Sequence, residues 1–239
     1  MNIIFTCIVI TLSFISITGN AQNIAEALKT PVRKDSAEKP QALPKKYDPR
    51  DSVMNYNREN NSLFAFVGEK ISVQPLPRIF DALDTGWKVK YRIIKKVYGE
   101  FAHDTIEFLA FDHNGIPAFS KSDFALLYVS ADSGTYLHEK YMFSAVYLMK
   151  DGRWAGPYES RDYGHDLNKG TKLRPVLLDF PREVFYTISP YATPDRIKEI
   201  YPEPYYRISG NKAYPVYGNY VEDLFLLKKN GFLKARGLF

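Results

Sequence analysis

The densest local group of side chains able to do chemistry is Asp162, His165 and Asp166, inside the polar, glycine-containing stretch Arg161–Thr171. A histidine with nearby carboxylates can ligate a metal or move a proton during hydrolysis. The same spacing suits a solvated polar loop, which is the expectation here. A hydrolase built on these three residues is the alternative. The other histidines, His103, His113 and His138, sit in no H-E-x-x-H or similar metal spacing. Asp112-His113-Asn114-Gly115 has the composition of a turn. No nucleophile elbow, P-loop or dinucleotide fingerprint occurs, so no catalytic residue, metal or cofactor is assigned. Ser36-Ala37-Glu38-Lys39 matches a catalytic S-x-x-K pattern, but in a segment with no element to hold it.

A second set could bind rather than react. Lys88, Lys90, Arg92 and Lys96 alternate with Trp87, Val89, Tyr91, Ile93 and Val97. Period two with apolar residues on one side describes a half-buried strand over Gly86–Tyr98 with a basic outer face. That face could seat an anionic ligand. It could equally be an ordinary solvated sheet face, with Glu107 of the next strand pairing with one of the bases. Toward the C-terminus, Tyr186, Tyr191, Tyr201, Tyr205, Tyr206, Tyr214, Tyr217 and Tyr220 are dense enough to recognise a sugar or peptide. Packing between helices and sheet would use the same rings.

Both sets need a compartment and a scaffold. Met1–Ala21 carries no charged side chain; its apolar run Ile3–Ile17 is followed by small and polar residues. That order predicts a secretory signal over residues 1–21 and a periplasmic or extracellular protein. The run is short of the roughly 20 residues a spanning helix needs. No transmembrane span is therefore expected in the mature chain, although an uncleaved anchor is the other reading. The only cysteine, Cys7, lies within the run. Cleavage near Ala21 would leave no disulfide, no cysteine nucleophile and no cysteine zinc site. The net charge of +5 fits a protein or an anionic envelope polymer as partner. Nucleic acid is not expected, because no Lys/Arg-rich cluster occurs and the chain is exported.

Residues 22–61 mix both charge signs with Pro31, Pro40, Pro44 and Pro49, and read as a flexible linker. Strands follow from residue 62. Leu63–Val67 and Ile71–Val73 form a pair, or one strand with a bulge at Gly68. Gly86–Tyr98 and Asp104–Phe111 come next. Phe124–Val129 is uninterruptedly apolar and should be covered on both faces. Tyr136–Met149 turns at Lys150–Arg153 onto Trp154. Short strands at this spacing predict a mainly β fold, a small antiparallel barrel over 62–158. Residues 159–239 form a helical appendage packing on the barrel. It should hold a strand pair within Pro175–Ile188, a helix from Pro194 to Pro202, and a last helix over Tyr220–Asn230. That last helix should be capped by Asn219 and Glu222 and stopped by Gly231.

Ala65-Phe66-Val67-Gly68-Glu69-Lys70-Ile71, Tyr91–Gly99 and Asp104-Thr105-Ile106-Glu107-Phe108 resemble the first three strands of the OB-fold barrel of netrin-like modules and tissue inhibitors of metalloproteinases. The pattern is also similar to that of uncharacterised exported bacterial proteins. The resemblance covers 64–154 and implies an OB-like barrel. In those inhibitors an N-terminal cysteine chelates the target's zinc, and this chain lacks that residue in the corresponding place. The expected function is that of an exported, non-catalytic binding protein using Lys88, Lys90, Arg92 and Lys96. A cysteine-independent inhibitor of an extracellular enzyme is a further alternative.

Overall fold

A computed structural model describes residues 63–77, 83–132 and 134–239. The expected signal (1–21) and linker (22–61) lie outside these residues.

Five strands close into a barrel in the order β1-β2-β3-β5-β4: β1 (Leu63–Pro75), β2 (Thr85–Tyr98), β3 (Thr105–Asp112), β4 (Phe124–Asp132) and β5 (Thr135–Ala145). β1 pairs with β2 on one side and with β4 on the other, which shuts the sheet. β3 meets β5 in parallel at Leu109 and Leu137. The protein is thus mainly β with an OB-like barrel, and one seam of that barrel is parallel rather than antiparallel. β1 is one continuous strand. The register slips opposite Val67/Gly68, where the extra residue is Ile94 of β2. Gly68 is a glycine for lack of room: a Cβ there would lie 2.7 Å from the Phe66 ring and 2.8 Å from the Tyr91 ring.

The apolar run of β4 behaves as its composition demands. Ala125, Leu127 and Val129 face the barrel interior with Phe64, Phe66 and Phe108. Leu126 and Tyr128 face a second core, built with Leu63, Ala65 and Val67 of β1. A 3₁₀ turn, Ala118–Lys121, places Phe119 within 4.6 Å of the His138 ring and packs it on Phe108 and Tyr91.

The barrel ends at Ala145, not at residue 158. β6 (Tyr147–Leu148) and β7 (Trp154–Pro157) form their expected hairpin, but in another sheet, ordered β6-β7-β12-β8. The strand pair expected within Pro175–Ile188 does not form. β8 (Val176–Leu177) pairs with β12 (Tyr217–Tyr220), and β9 (Tyr186–Thr187) pairs with β11 (Lys212–Pro215), whose other neighbour is β10 (Tyr206–Ser209). The appendage therefore carries two small sheets as well as helices. The stretch expected as loop holds a single-turn helix, α1 (Ser160–Tyr163), and a 3₁₀ turn at Asp166–Asn168.

Helix α2 (Pro194–Ile200) starts as anticipated, with proline in its first turn and the Thr193 hydroxyl accepting from the Arg196 N–H at 3.2 Å. The last helix, α3 (Val221–Lys228), differs from expectation at both ends. Its N-cap is Tyr220, without a side-chain cap. Asn219 is fully buried in β12, donating its amide to the Arg174 carbonyl at 2.9 Å and accepting from the Tyr163 hydroxyl. Gly231 does not stop the chain. The helix widens into a π turn over Lys229–Leu233, and the Asn168 side chain packs on it so closely that a Cβ at Gly231 would fall 1.7 Å from Asn168 Oδ1. Val221, Leu224, Phe225 and Leu233 seal the second core against the barrel wall. Among the described residues no helix is long and apolar enough to cross a membrane.

Candidate functional site

The three residues of the hydrolase alternative do not converge. Asp162 hydrogen-bonds the buried ammonium of Lys228. Asp166 pairs with Lys169 at 2.5 Å in solvent. His165 turns its Nδ1 to accept the Leu167 N–H at 3.2 Å and lays its ring 4.3 Å from Phe232. Each group has taken a local structural partner, and among the described residues no carboxylate hydrogen-bonds the imidazole. His113 belongs to the turn, where Asp112 Oδ1 accepts the Asn114 N–H at 2.8 Å. Its Nδ1 also lies 2.7 Å from the Tyr141 hydroxyl. Tyr141 holds a φ of 66°, and the adjacent Lys140 is bound to Asp84. His138 packs against Phe119 and donates from Nε2 to the Met142 carbonyl at 3.0 Å; burial pushes it down to about 3. Among the described residues no group of three or more histidine or acidic side chains could hold a metal.

Strand β2 brings Lys88, Lys90 and Arg92 onto one outer face, but the extra residue Ile94 breaks the alternation expected to carry Lys96 with them: Lys95 stands opposite Val67 of the outer core, and Lys96 opposite Phe66 of the barrel interior. Each of Lys88, Lys90, Arg92 and Lys96 has a carboxylate. Lys88 and Lys90 both reach Glu107 at 3.0 Å, and these two bonds hold its carboxyl below the usual range. Arg92 donates from Nε to Glu69 at 2.8 Å, and Lys96 lies 3.9 Å from Glu100. Glu107 serves two bases rather than one. These are exposed pairs, each contributing roughly 0–1 kcal/mol, so solvent or a stronger anion can displace them.

The tyrosines divide. Tyr191 projects into solvent, and Tyr220 lies under the Arg153 guanidinium at 3.7 Å. Tyr186, Tyr201, Tyr205 and Tyr206 gather with Tyr158 around Ile188, Ala213 and Ile197 in a third core. Beside it opens a cleft of about 420 Å³, lined by Tyr158, Glu159, Arg161, Tyr186, Tyr201 and Tyr206 together with Arg196 and Glu199 of α2. Its walls come from four places: the end of β7, α1, α2 and the β9/β10 region.

Glu159 is the group that a sequence reading misses. It follows Tyr158 at the end of β7 and matches no motif. Burial, then the neighbouring Asp162 carboxylate, pushes it up to about 7, while Lys228 and Arg161 pull it down. Its carboxyl makes no hydrogen bond or ion pair within the described residues. The Tyr206 hydroxyl instead donates to the Tyr158 carbonyl at 2.6 Å. Burial holds the Tyr163, Tyr186 and Tyr206 phenols well above their ordinary value, so all three stay neutral.

Comparison of the chain with protein-family models, with curated proteins and with solved structures finds no match in any of the three.

Proposed function

We propose that the chain is an exported, non-catalytic binding protein of the cell envelope or extracellular space, holding a protein or an anionic envelope polymer on the outer face of β2 and β3. The observation that carries this reading is the asymmetry of the barrel. The second core occupies the outer surface of β1 and β4, whereas Lys88, Lys90, Arg92 and Glu107 stand exposed. The corresponding strand 2–3 face is where OB-folds often bind their ligands. The dispersal of Asp162, His165 and Asp166 among structural partners supports the non-catalytic half of the reading. The resemblance to netrin-like modules would extend to the scaffold alone, since residues 63–239 contain no cysteine to chelate a metalloproteinase's zinc.

Capture on native envelope material tests it. The double variant Lys88→Glu, Arg92→Glu sets like charges against Glu107 and Glu69, and should weaken capture several-fold at low salt and less at high salt. Capture unchanged by that double substitution would remove the basic face from the binding reading.

A further inference from the structure

The cleft at Glu159 has a composition that selects a ligand, and it lies apart from the basic face. Its charges nearly cancel. Asp162 is matched by Lys228, and Arg196 by Glu199 at 2.7 Å. That leaves Glu159, which has no hydrogen-bond or ion-pair partner among the described residues, and Arg161, which is exposed and has no carboxylate within ion-pair distance among them. A cation entering here would meet Arg161 and Arg196, and an anion would meet Glu159 and Glu199. Neither sign is favoured.

Hydrogen bonding and shape complete the case. A partly buried carboxyl without a partner costs stability that one hydrogen bond would recover. A carboxyl that is part protonated near neutral pH can both donate and accept. The guanidinium of Arg161 adds donors. The Tyr158 ring is already stacked on Tyr205 at 3.8 Å, and Tyr206 is buried. Tyr201 lines the cleft half-buried, its ring centroid 6.1 Å from that of Tyr186 and edge-on to Tyr206 at 71°, and its remaining exposed area is offered to the cleft. The volume falls within the range of small-molecule sites, about 300–1,000 Å³. An uncharged ligand with one apolar face and a rim of hydroxyls fits this set, and a pyranose ring is such a ligand.

We propose that the Glu159 cleft is a carbohydrate-binding site for an uncharged pyranose oligosaccharide, with Tyr201 stacking on a sugar ring and Glu159 and Arg161 bonding its hydroxyls.

The test is titration calorimetry of the full chain with cellotriose, maltotriose and chitotriose. The fully deacetylated chitosan trimer and trigalacturonic acid serve as cationic and anionic counterparts of similar size. At least one neutral trisaccharide should bind, and more tightly than either charged trimer. Tyr201→Ala and Glu159→Ala should each weaken binding about tenfold, the loss of a stacking face or of a hydrogen-bonding group. Glu159→Gln should stay within about threefold of the parent, because an amide also donates and accepts. Arg161→Ala changes an exposed side chain and cannot act by unfolding; it too should weaken binding. Lys88→Glu with Arg92→Glu should leave it unaltered, which separates this site from the barrel face. No binding of any neutral trisaccharide, tighter binding of a charged trimer, or affinity indifferent to Tyr201, Glu159 and Arg161 would each overturn the assignment.

Discussion

Lys228 of α3, with its side chain 2% exposed, places its ammonium on the carboxylate of Asp162 in α1. This contact ties the last helix to the turn that follows β7. It also draws Asp162 away from His165 and Asp166, the neighbours with which the sequence groups it. Asp162 is committed to a buried cation, and the two carboxyls nearest that cation have diverged in role. Asp162 holds it, while Glu159 is left unpartnered at the cleft.

Removing Asp162 should therefore be costly. Asp162→Ala would leave the buried Lys228 ammonium, 5.3 Å from the Phe232 ring centroid, without the carboxylate it is bonded to, and breaking a buried pair from one side costs about 3–5 kcal/mol. Asp162→Leu combined with Lys228→Met removes both charges and should recover most of that loss. Urea unfolding of the two variants against the parent checks both halves. An Asp162→Ala protein as stable as the parent would show that the pair carries no structural weight.

Glu159 predicts an opposite kind of substitution. Its carboxyl titrates near 7 in the fold and near 4.5 in the unfolded chain, so between those values the folded protein binds more protons. Stability contributed this way is present below about pH 4.5 and is lost as pH rises through 7. Glu159→Gln removes the effect. Because the carboxyl reaches the cleft, solvent screens part of the penalty, and the variant should gain about 1–2 kcal/mol at pH 8. At pH 4.5 it should gain almost nothing. Thermal midpoints at the two pH values measure it; an equal gain at both would mean that titration of Glu159 is not its source. A stabilising substitution in a cleft is what a binding group held for its ligand would show.

Local periodicity carried most of the barrel, and tertiary contacts decided what it left open. The two-residue alternation of β2 and the unbroken apolar run of β4 report burial that is set along the strand itself. The boundary at Ala145 is another matter, because β6 and β7 have good strand chemistry but pair with each other, and β7 takes its second partner, β12, from far along the chain. Asn219 illustrates the same limit. Asn-x-x-Glu is a sound capping pattern, yet the amide is worth more inside, where Arg174 and Tyr163 satisfy it, and Glu222 goes to Lys95 at 2.6 Å. The place of Glu159 in the cleft was illegible for this reason. Nothing near Glu159 in sequence announces it; its environment is assembled from β7, α2 and the strands after Phe185. The tyrosines that line it were visible as a composition, but which of them meet was not.

His138 makes acid a specific stress on the barrel. Its ring, enclosed by Phe108 and Phe119, is held down to about 3 by burial, and the Arg236 charge adds to this; the hydrogen bond to Met142 works against it. The unfolded histidine takes up a proton near 6.5, and the folded one does not until about 3. Stability present above pH 6.5 is thus lost progressively as pH falls toward 3, about 2 kcal/mol by pH 5. This runs against the gain from Glu159 over the same interval, so the parent's own pH profile conflates the two. The difference between parent and His138→Gln isolates one: it should shrink from pH 7 to pH 5 in chemical denaturation. A difference independent of pH would place the His138 proton elsewhere.

Within the π turn at the end of α3, position 231 should be held to glycine chiefly by one side chain, that of Asn168. Gly231 lies where Asn168 Oδ1 leaves no space for a Cβ, and Asn168 is anchored there by its amide bond to the Asp162 carbonyl at 2.7 Å. Gly231→Ala must push Asn168 out or shift the helix, at a cost of about 1–3 kcal/mol for overpacking. Asn168→Ala alone also destabilises, since it breaks that bond to Asp162. If the clash is the reason for the glycine, Gly231→Ala should cost much less when Asn168 is already alanine, and the double-mutant cycle should show coupling of at least about 1 kcal/mol. Gly218 supplies the contrast. Its Cβ would lie 2.1 Å from the Gly156 carbonyl oxygen, which is backbone, so no single side-chain change can relieve Gly218→Ala. Additive costs at Gly231 and Asn168 would refute the steric account and return Gly231 to a role in the helix backbone itself.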